Sequence, residues 1–304
     1  MAARFWRFLL GGQLLYAVAV TAVLAAALSL SAGELVLTAV VVTVSAPCAL
    51  VASSYLAGRV AARRDGAGDR TPLRGLAAAL LRETLALCAA TFAMIAEPCR
   101  RPPRADSARA AAASPVLLIH GLACNRAVWR PLLAQLAARG FAPIRAVNLE
   151  PLFTDIESHT ASVVRELREL QRASNGAPVA IVAHSMGGLV ARAALRAGGP
   201  GLVSRVVTIA SPHHGTALAR LFPSLPARQM RPGSSWLQAL NASQEGALPV
   251  PVTSIYSVHD NLIAPPRSAV LAGAQLHELA GLGHLSLLRA RPSLERALAA
   301  LAGP

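Results

Sequence analysis

Residues 179–190 read Val-Ala-Ile-Val-Ala-His-Ser-Met-Gly-Gly-Leu-Val, and this stretch decides the fold. The apolar run Val179–Ala183 is short and rich in β-branched side chains, which predicts a buried strand. From Met186 to Arg196 the period is helical. Between the two sits Ser185, with small residues two before and two after it, Ala183 and Gly187, and with Gly188 adding clearance. A strand that turns straight into a helix forces strained angles at the turn, so its neighbours must be small. Such an elbow leaves the serine oxygen where an adjacent base can remove its proton and make it a nucleophile. The usual pattern is G-x-S-x-G. Here Ala183 replaces the first glycine and meets the same steric demand. A serine N-cap opening the helix is the alternative role for Ser185.

Working outward, short apolar runs alternate with longer helical stretches. Strands are expected at Val116–His120, Ala142–Asn148, Val179–Ala183, Arg205–Ala210, Val252–Val258 and Gln275–Leu279. Helices are expected at Arg126–Arg139, Ile156–Ala173, Met186–Arg196, Pro266–Ala272 and Leu285–Leu301. Continuous apolar strands joined by helices predict an α/β fold, a mostly parallel sheet of about six strands covered on both faces. Ligands bind such sheets beyond the carboxyl ends of the strands, so the residues just after each strand carry the chemistry.

Three strand ends supply a serine, an aspartate and a histidine in that order: His184-Ser185-Met186, His259-Asp260-Asn261 and Gly281-Leu282-Gly283-His284. His284 is the expected base and Asp260 the acid that holds its tautomer. The rival bases are His213 and His214, with His214 more suited to ordering the pocket wall. The rival acids are Asp155, which reads as a helix cap, and Glu278, which lies within a strand. His159 and His277 read as surface or packing positions, and His184 and His259 point sideways from the site. The Met186 N–H, opening the helix, would face a developing oxyanion. A second donor, the Leu122 N–H, would come from the loop His120-Gly121-Leu122, where Gly121 permits close approach and His120 holds the loop by hydrogen bonds. Cys124 and Asn125 are candidates to line the entrance, and Trp129 to pack in the core.

These motifs resemble the alpha/beta-hydrolase superfamily and, within it, bacterial lipases and esterases. AHSMGG (183–188), SIYSVHD (254–260) and GLGHLSLL (281–288) are similar to the small Bacillus-type lipases, whose elbow also carries alanine; TIASPHHGT (208–216) resembles larger bacterial lipases. The resemblance implies a Ser185–His284–Asp260 triad, an oxyanion hole from the Leu122 and Met186 N–H groups, and cleavage of carboxylic esters, with lipid or acyl esters as substrates. The same triad serves thioesterases, amidases and acyltransferases. A reading from a different class is a membrane scaffold that keeps the fold without the chemistry. The chain departs from the secreted lipases in having no acidic pair matching their calcium site, and in its N-terminal segment.

That segment holds the apolar surplus. The 304 residues are 54% apolar and 14% charged, and all 29 basic residues are arginine against 15 acidic, for a net charge of +14. Mean hydropathy is +0.47. This composition excludes a disordered chain and argues against a purely soluble one. No RNA- or DNA-binding motif accompanies the arginines, so no nucleic-acid partner is expected. Cys48, Cys88, Cys99 and Cys124 lack any CxxC or Cys/His spacing, so neither a disulfide framework nor a zinc site is expected; no cofactor is expected either.

Residues 1–99 read as a membrane segment. Uncharged runs at 8–33 and 35–58 each exceed the ~20 residues needed to cross a bilayer, with the turn expected at Gly33-Glu34-Leu35. A cleaved signal peptide is the alternative for the first run. Arg4 and Arg7 before the hairpin, and Arg59, Arg63, Arg64, Arg70 and Arg74 after it, place both ends on the cytoplasmic side. The third stretch, 76–96, is broken by Arg82-Glu83 and could cross the membrane, lie in its interface or pack on the hairpin; the face occupied by the rest of the chain depends on it. A multi-pass protein of a bacterial inner membrane is expected. Residues 100–113 read as a linker and 114–304 as the catalytic domain, able to work without the first 113 residues. Residues 216–250, apolar but broken by prolines, are either a lid or a packing excursion over the sheet.

Overall fold

The computed structural model describes residues 1–64, 72–97 and 114–303. The linker expected at 100–113 lies outside the described residues, as do Arg70 and Cys99.

Strands β1 (Val116–Ile119), β2 (Ile144–Val147), β3 (Val179–His184), β4 (Val203–Ile209), β5 (Val252–Ser257) and β6 (Gln275–Leu279) form one sheet in the order β2-β1-β3-β4-β5-β6. Every pairing is parallel. Because strand side chains alternate, one sequence feeds two cores. Leu117, Ile119, Ile181 and Val206 enter a cluster with helices α5 (Thr160–Ala173) and α6 (Met186–Gly198). Val116, Leu118, Val182 and Val207 enter a second cluster with α4 (Arg130–Ala138) and α9 (Arg291–Ala302).

Four expected helices come out differently: Ile156–Ala173 is a 3-10 turn, Glu157–His159, running into α5, and the other three change at a proline. Arg126–Arg139 is a 3-10 turn, Arg126–Trp129, running into α4 with Pro131 in its first turn. Leu285–Leu301 breaks into a turn at Ser286–Leu288 and then α9, because Pro292, lacking an N–H, fits only the first turn of a helix. Pro266–Ala272 contracts to one turn, Pro266–Ala269.

Residues 216–250 hold α7 (Leu225–Gln229) and α8 (Ser235–Ala242). Ala227, Met230, Leu237 and Leu240 are buried in the first core cluster, whereas Leu221, Phe222 and Leu225 are exposed.

The N-terminal helices α1 (Ala2–Leu28), α2 (Ala32–Arg64) and α3 (Leu76–Ile95) are each long and apolar enough to cross a membrane. The turn between α1 and α2 falls at Ser29–Ser31, ahead of the expected Gly33-Glu34-Leu35. The cause is a capping box. The Ser31 N–H donates to Glu34 Oε2 at 2.8 Å, and the Glu34 N–H faces Ser31 Oγ at 3.5 Å, so α2 starts early and takes in Gly33. Along the hairpin Phe8, Leu15, Val18, Val23, Val36, Val40 and Val44 are exposed.

Helix α3 is different. Its buried residues Ala79, Glu83, Ala86, Ala90 and Met94 recur at helical spacing on one stripe, while Leu81, Leu85 and Phe92 are exposed. Ala79 packs with Val51 and Tyr55 of α2, and Ala90 and Met94 join the second core cluster of the sheet with Cys124 and Trp129. It therefore touches both the hairpin and the sheet domain.

Candidate active site

Ser185 follows β3 with φ 55° and ψ −129°, a backbone conformation that L-residues rarely adopt. Its surroundings explain both the strain and the small neighbours. The Ser185 N–H is tied to the Ile209 carbonyl at 2.9 Å. A Cβ at Gly187 would lie 2.5 Å from the Ile119 carbonyl oxygen, and one at Gly188 would lie 2.1 Å from Ser211 Oγ. Ala183 is fully buried. Helix α6 can start immediately after the serine only because its first turn presses against β1 and β4. Ser185 Oγ itself makes no hydrogen bond among the described residues.

The loop after β1 lies against the elbow: a Cβ on Gly121 would sit 2.8 Å from the Ser185 Cβ. His120 is buried beneath this loop. The Leu149 N–H donates to its Nε2 at 3.0 Å, so the ring proton is on Nδ1 and reaches the Gly121 carbonyl at 2.8 Å. Burial lowers its pKa to about 4, keeping it neutral. Leu122 packs against the cluster that contains Met186.

Asp260 and His284 meet beyond β5 and β6. The Asp260 carboxylate lies 3.0 Å from His284 Nδ1 through Oδ2, and Oδ1 also accepts the Leu262 and Ile263 N–H groups at 2.8 and 2.9 Å. With its proton on Nδ1, the His284 ring leaves Nε2 as an acceptor. The His284 N–H donates to Asn261 Oδ1 at 2.9 Å. His184, next to Ser185, packs against His284 with ring centroids 4.6 Å apart and the rings tilted by 52°, and donates from Nε2 to the His284 carbonyl at 3.2 Å. Burial opposes charge on His284, but the carboxylates of Asp260 and Glu83 outweigh it and its pKa is raised. Burial holds His184 well below the usual histidine range. One imidazole of the pair is therefore poised to take a proton and the other is not.

The remaining candidates fall elsewhere. His213 is fully buried, with Nε2 3.1 Å from Thr208 Oγ1 and Nδ1 facing the Arg192 guanidinium at 3.5 Å. His214 is exposed, with its ring hydrogen-bonded to the Val270 backbone, whereas His213 is the histidine ordered inside the domain. Cys124 and Asn125 do not line an entrance. α3 covers both: Cys124 is buried in the second core cluster, its thiol pushed up to about 12 by burial, and the Asn125 amide donates to the Met94 carbonyl at 3.0 Å. His159 is buried, whereas His277 is partly exposed. The His259 ring accepts the Gly281 N–H at 3.0 Å and donates to the Pro72 and Arg74 carbonyls. Glu278 accepts from the Tyr256 hydroxyl at 2.8 Å, and Asp155 accepts the Ser158 N–H at 3.1 Å as a cap.

Residues of the N-terminal helices also reach this site, which the sequence reading missed. The Tyr55 hydroxyl donates to the His259 carbonyl at 2.9 Å, and Asn261 donates to Ser54 Oγ at 2.8 Å. Arg82 donates to the Gly281 carbonyl at 2.9 Å, and Glu83 accepts the Leu285 and Ser286 N–H groups, both at 2.8 Å. The one legible signal was the Arg82-Glu83 pair, out of place in an apolar helix.

Comparison with known proteins agrees with this architecture. A family profile described as the alpha/beta hydrolase fold matches residues 114–231. Among solved structures, Aspergillus fumigatus lipase B superposes with a TM-score of 0.59 at 20% identity, over 66% of this chain and 55% of that one. A Bacillus licheniformis lipase in its mature form superposes with a TM-score of 0.56 at 18% identity, over 65% of this chain and 94% of that one. This chain thus spans only about half the length of the first lipase. A search of curated proteins finds no match. The protein has the alpha/beta-hydrolase fold, with lipases among its structural neighbours and apolar N-terminal helices added to it.

Proposed function

We propose that the protein is a membrane-anchored serine hydrolase that cleaves carboxylic esters, with lipid or acyl esters as its substrates. The observation that carries this reading is the His284–Asp260 contact at 3.0 Å beside an elbow serine held at φ 55°. In the reaction, Ser185 Oγ attacks the ester carbonyl as His284 Nε2 takes its proton. Asp260 holds the Nδ1–H tautomer and stabilises the imidazolium. The oxyanion is received by the Leu122 and Met186 N–H groups. His284 then protonates the departing alkoxide, and water, deprotonated by His284, releases the acid from Ser185. No step calls for a cofactor or metal.

Lipid substrates are supported by placement. The exposed apolar side chains of α1 and α2 suit a bilayer, and Leu221, Phe222 and Leu225 follow Leu218, which packs near Gly58 of α2. The hydrolase domain meets the amino end of α1 and the carboxyl end of α2, the ends that carry Arg4, Arg7, Arg59, Arg63 and Arg64. By the positive-inside rule those contacts favour the cytoplasmic face of a bacterial inner membrane for the domain.

The test is labelling of membranes that hold the wild-type protein or Ser185→Ala with a tagged fluorophosphonate. Labelling lost only in the variant is expected. Equal labelling of both would move the nucleophile to another residue, and none in either with detergent present would leave a scaffold as the better reading. A chain-length series of esters, thioesters and amides then separates an esterase from the other acyl-transfer enzymes.

A further inference from the structure

We propose that Glu83 of α3 is a positioning residue for His284, so that the third N-terminal helix belongs to the catalytic unit. This rests on the serine-hydrolase reading.

A carboxylate is expensive in an apolar helix, and where one persists it has a task. Glu83 is 2% exposed, although Leu81 and Leu85 beside it are 63% and 61% exposed. Its Oε1 accepts the Leu285 N–H and its Oε2 the Ser286 N–H, both at 2.8 Å. Those are the first free N–H groups of the turn Ser286–Leu288, so Glu83 caps from another element the turn that His284 leads into. Both oxygens accept from N–H groups, contacts that favour the carboxylate over the neutral acid.

The clamp extends to the other side of the histidine. A Cβ on Gly283 would lie 2.6 Å from Glu83 Oε2, so only glycine fits there. Arg82 holds the Gly281 carbonyl at 2.9 Å. Positions 281, 283, 285 and 286 of the His284 loop thus all meet the Arg82-Glu83 pair. Gly283 leaves room for Glu83, while Gly281 answers to its own φ of 70°.

The carboxylate also bears on the charge of the base. From β5 the His284 ring is faced by Asp260, from β3 by His184, which stays neutral, and from α3 by Glu83. From α2, the Tyr55 hydroxyl is occupied by the His259 carbonyl, and the His259 ring by the Pro72 and Arg74 carbonyls. The imidazolium that forms when Ser185 loses its proton is therefore favoured by two carboxylates, one bonded to it and one fixed to its own loop.

The experiment compares full-length wild type, Glu83→Gln, Glu83→Asp and Ser185→Ala in detergent, following kcat and KM for a short-chain nitrophenyl ester across pH. For Glu83→Gln we expect kcat to fall at least ~10-fold, about 1.4 kcal/mol, KM to stay within about twofold, and the acid limb to move to lower pH. Glu83→Asp, which keeps the charge, should hold the acid limb near the wild-type position while kcat falls. A merely structural role would not move the limb. Glu83→Gln matching wild type, or losing rate with an unmoved limb, overturns the proposal. If Glu83→Gln does not fold, Glu83→Asp decides: a limb displaced to lower pH despite the retained charge overturns it. Hydrolysis that survives Ser185→Ala instead overturns the serine-hydrolase reading, whatever Glu83 does.

Discussion

Trp6, in the second turn of α1, donates its indole N–H to the carbonyl of Ala123, 117 residues further on, at 2.7 Å. Ala123 directly follows Leu122 and is itself held at φ 58°. The amino end of the first apolar helix is thus fastened to the loop beside Ser185. At its carboxyl end α2 is fastened to the loop of Asp260 by Tyr55 and Ser54. One hairpin reaches the site at both its ends, which lie side by side opposite the Ser29–Ser31 turn.

This geometry makes a topological prediction. A protease tag at the C-terminus should be cut in inside-out membrane vesicles and spared in intact spheroplasts. Cleavage in spheroplasts would place the hydrolase domain on the outer face and break the link between the Arg4/Arg7 flank and Trp6.

The proposed triad predicts graded losses. Ser185→Ala should lower kcat by on the order of 10⁶-fold, since removing the nucleophile disables the whole unit. Asp260→Asn should lower it by on the order of 10⁴-fold, because an amide can no longer hold the Nδ1–H tautomer. His213→Ala should reduce stability more than kcat, its ring being engaged by Thr208 and Arg192. Steady-state kinetics beside thermal unfolding separates the two effects, and a full loss of kcat in folded His213→Ala would reassign the base.

The pH dependence follows from His284. It must be neutral to accept the serine proton, and its folded pKa is raised by Asp260 and Glu83. The rate kcat/KM should therefore fall as pH drops, with an acid limb above the ordinary histidine value of about 6.5. A limb well below that value would point to a different base.

The elbow leaves no room. Gly187→Ala puts a Cβ 2.5 Å from the Ile119 carbonyl and 2.6 Å from that of His120, both backbone atoms of the neighbouring strand end. Overpacking of this kind costs about 1–3 kcal/mol, so the variant should melt earlier and label poorly with fluorophosphonate. Unchanged melting would mean that β1 can shift away from α6.

Truncation tests where the catalytic unit begins. A fragment starting at residue 114 loses Ala90 and Met94, which share the second core cluster with Cys124 and Trp129, and loses Glu83 from the His284 loop. We expect it to aggregate or to resist labelling, whereas the full chain labels. A soluble, labelled fragment would mean that α3 only anchors.

Much of the architecture was legible because it is local. Strand runs, the small residues around Ser185, and the chain order of Ser185, Asp260 and His284 are written within windows of about ten residues, where periodicity and turn chemistry act. The errors of boundary were local too: the Ser31–Glu34 box outranks the flexibility of Gly33, and Pro292 stops a helix that its apolar period would continue.

What the linear pattern alone determined is a parallel sheet with reactive groups at its strand ends and three apolar helices ahead of it. Only the tertiary structure decided that His213 turns inward and His214 outward, that Cys124 and Asn125 lie under α3, and that Glu83 reaches the loop of His284. Side-chain period tells which residues of a helix share a face, but not what that face meets. The partners of Glu83 lie 202 and 203 residues away. Such contacts are selected by burial and hydrogen-bond satisfaction once the sheet has formed, and no local preference encodes them.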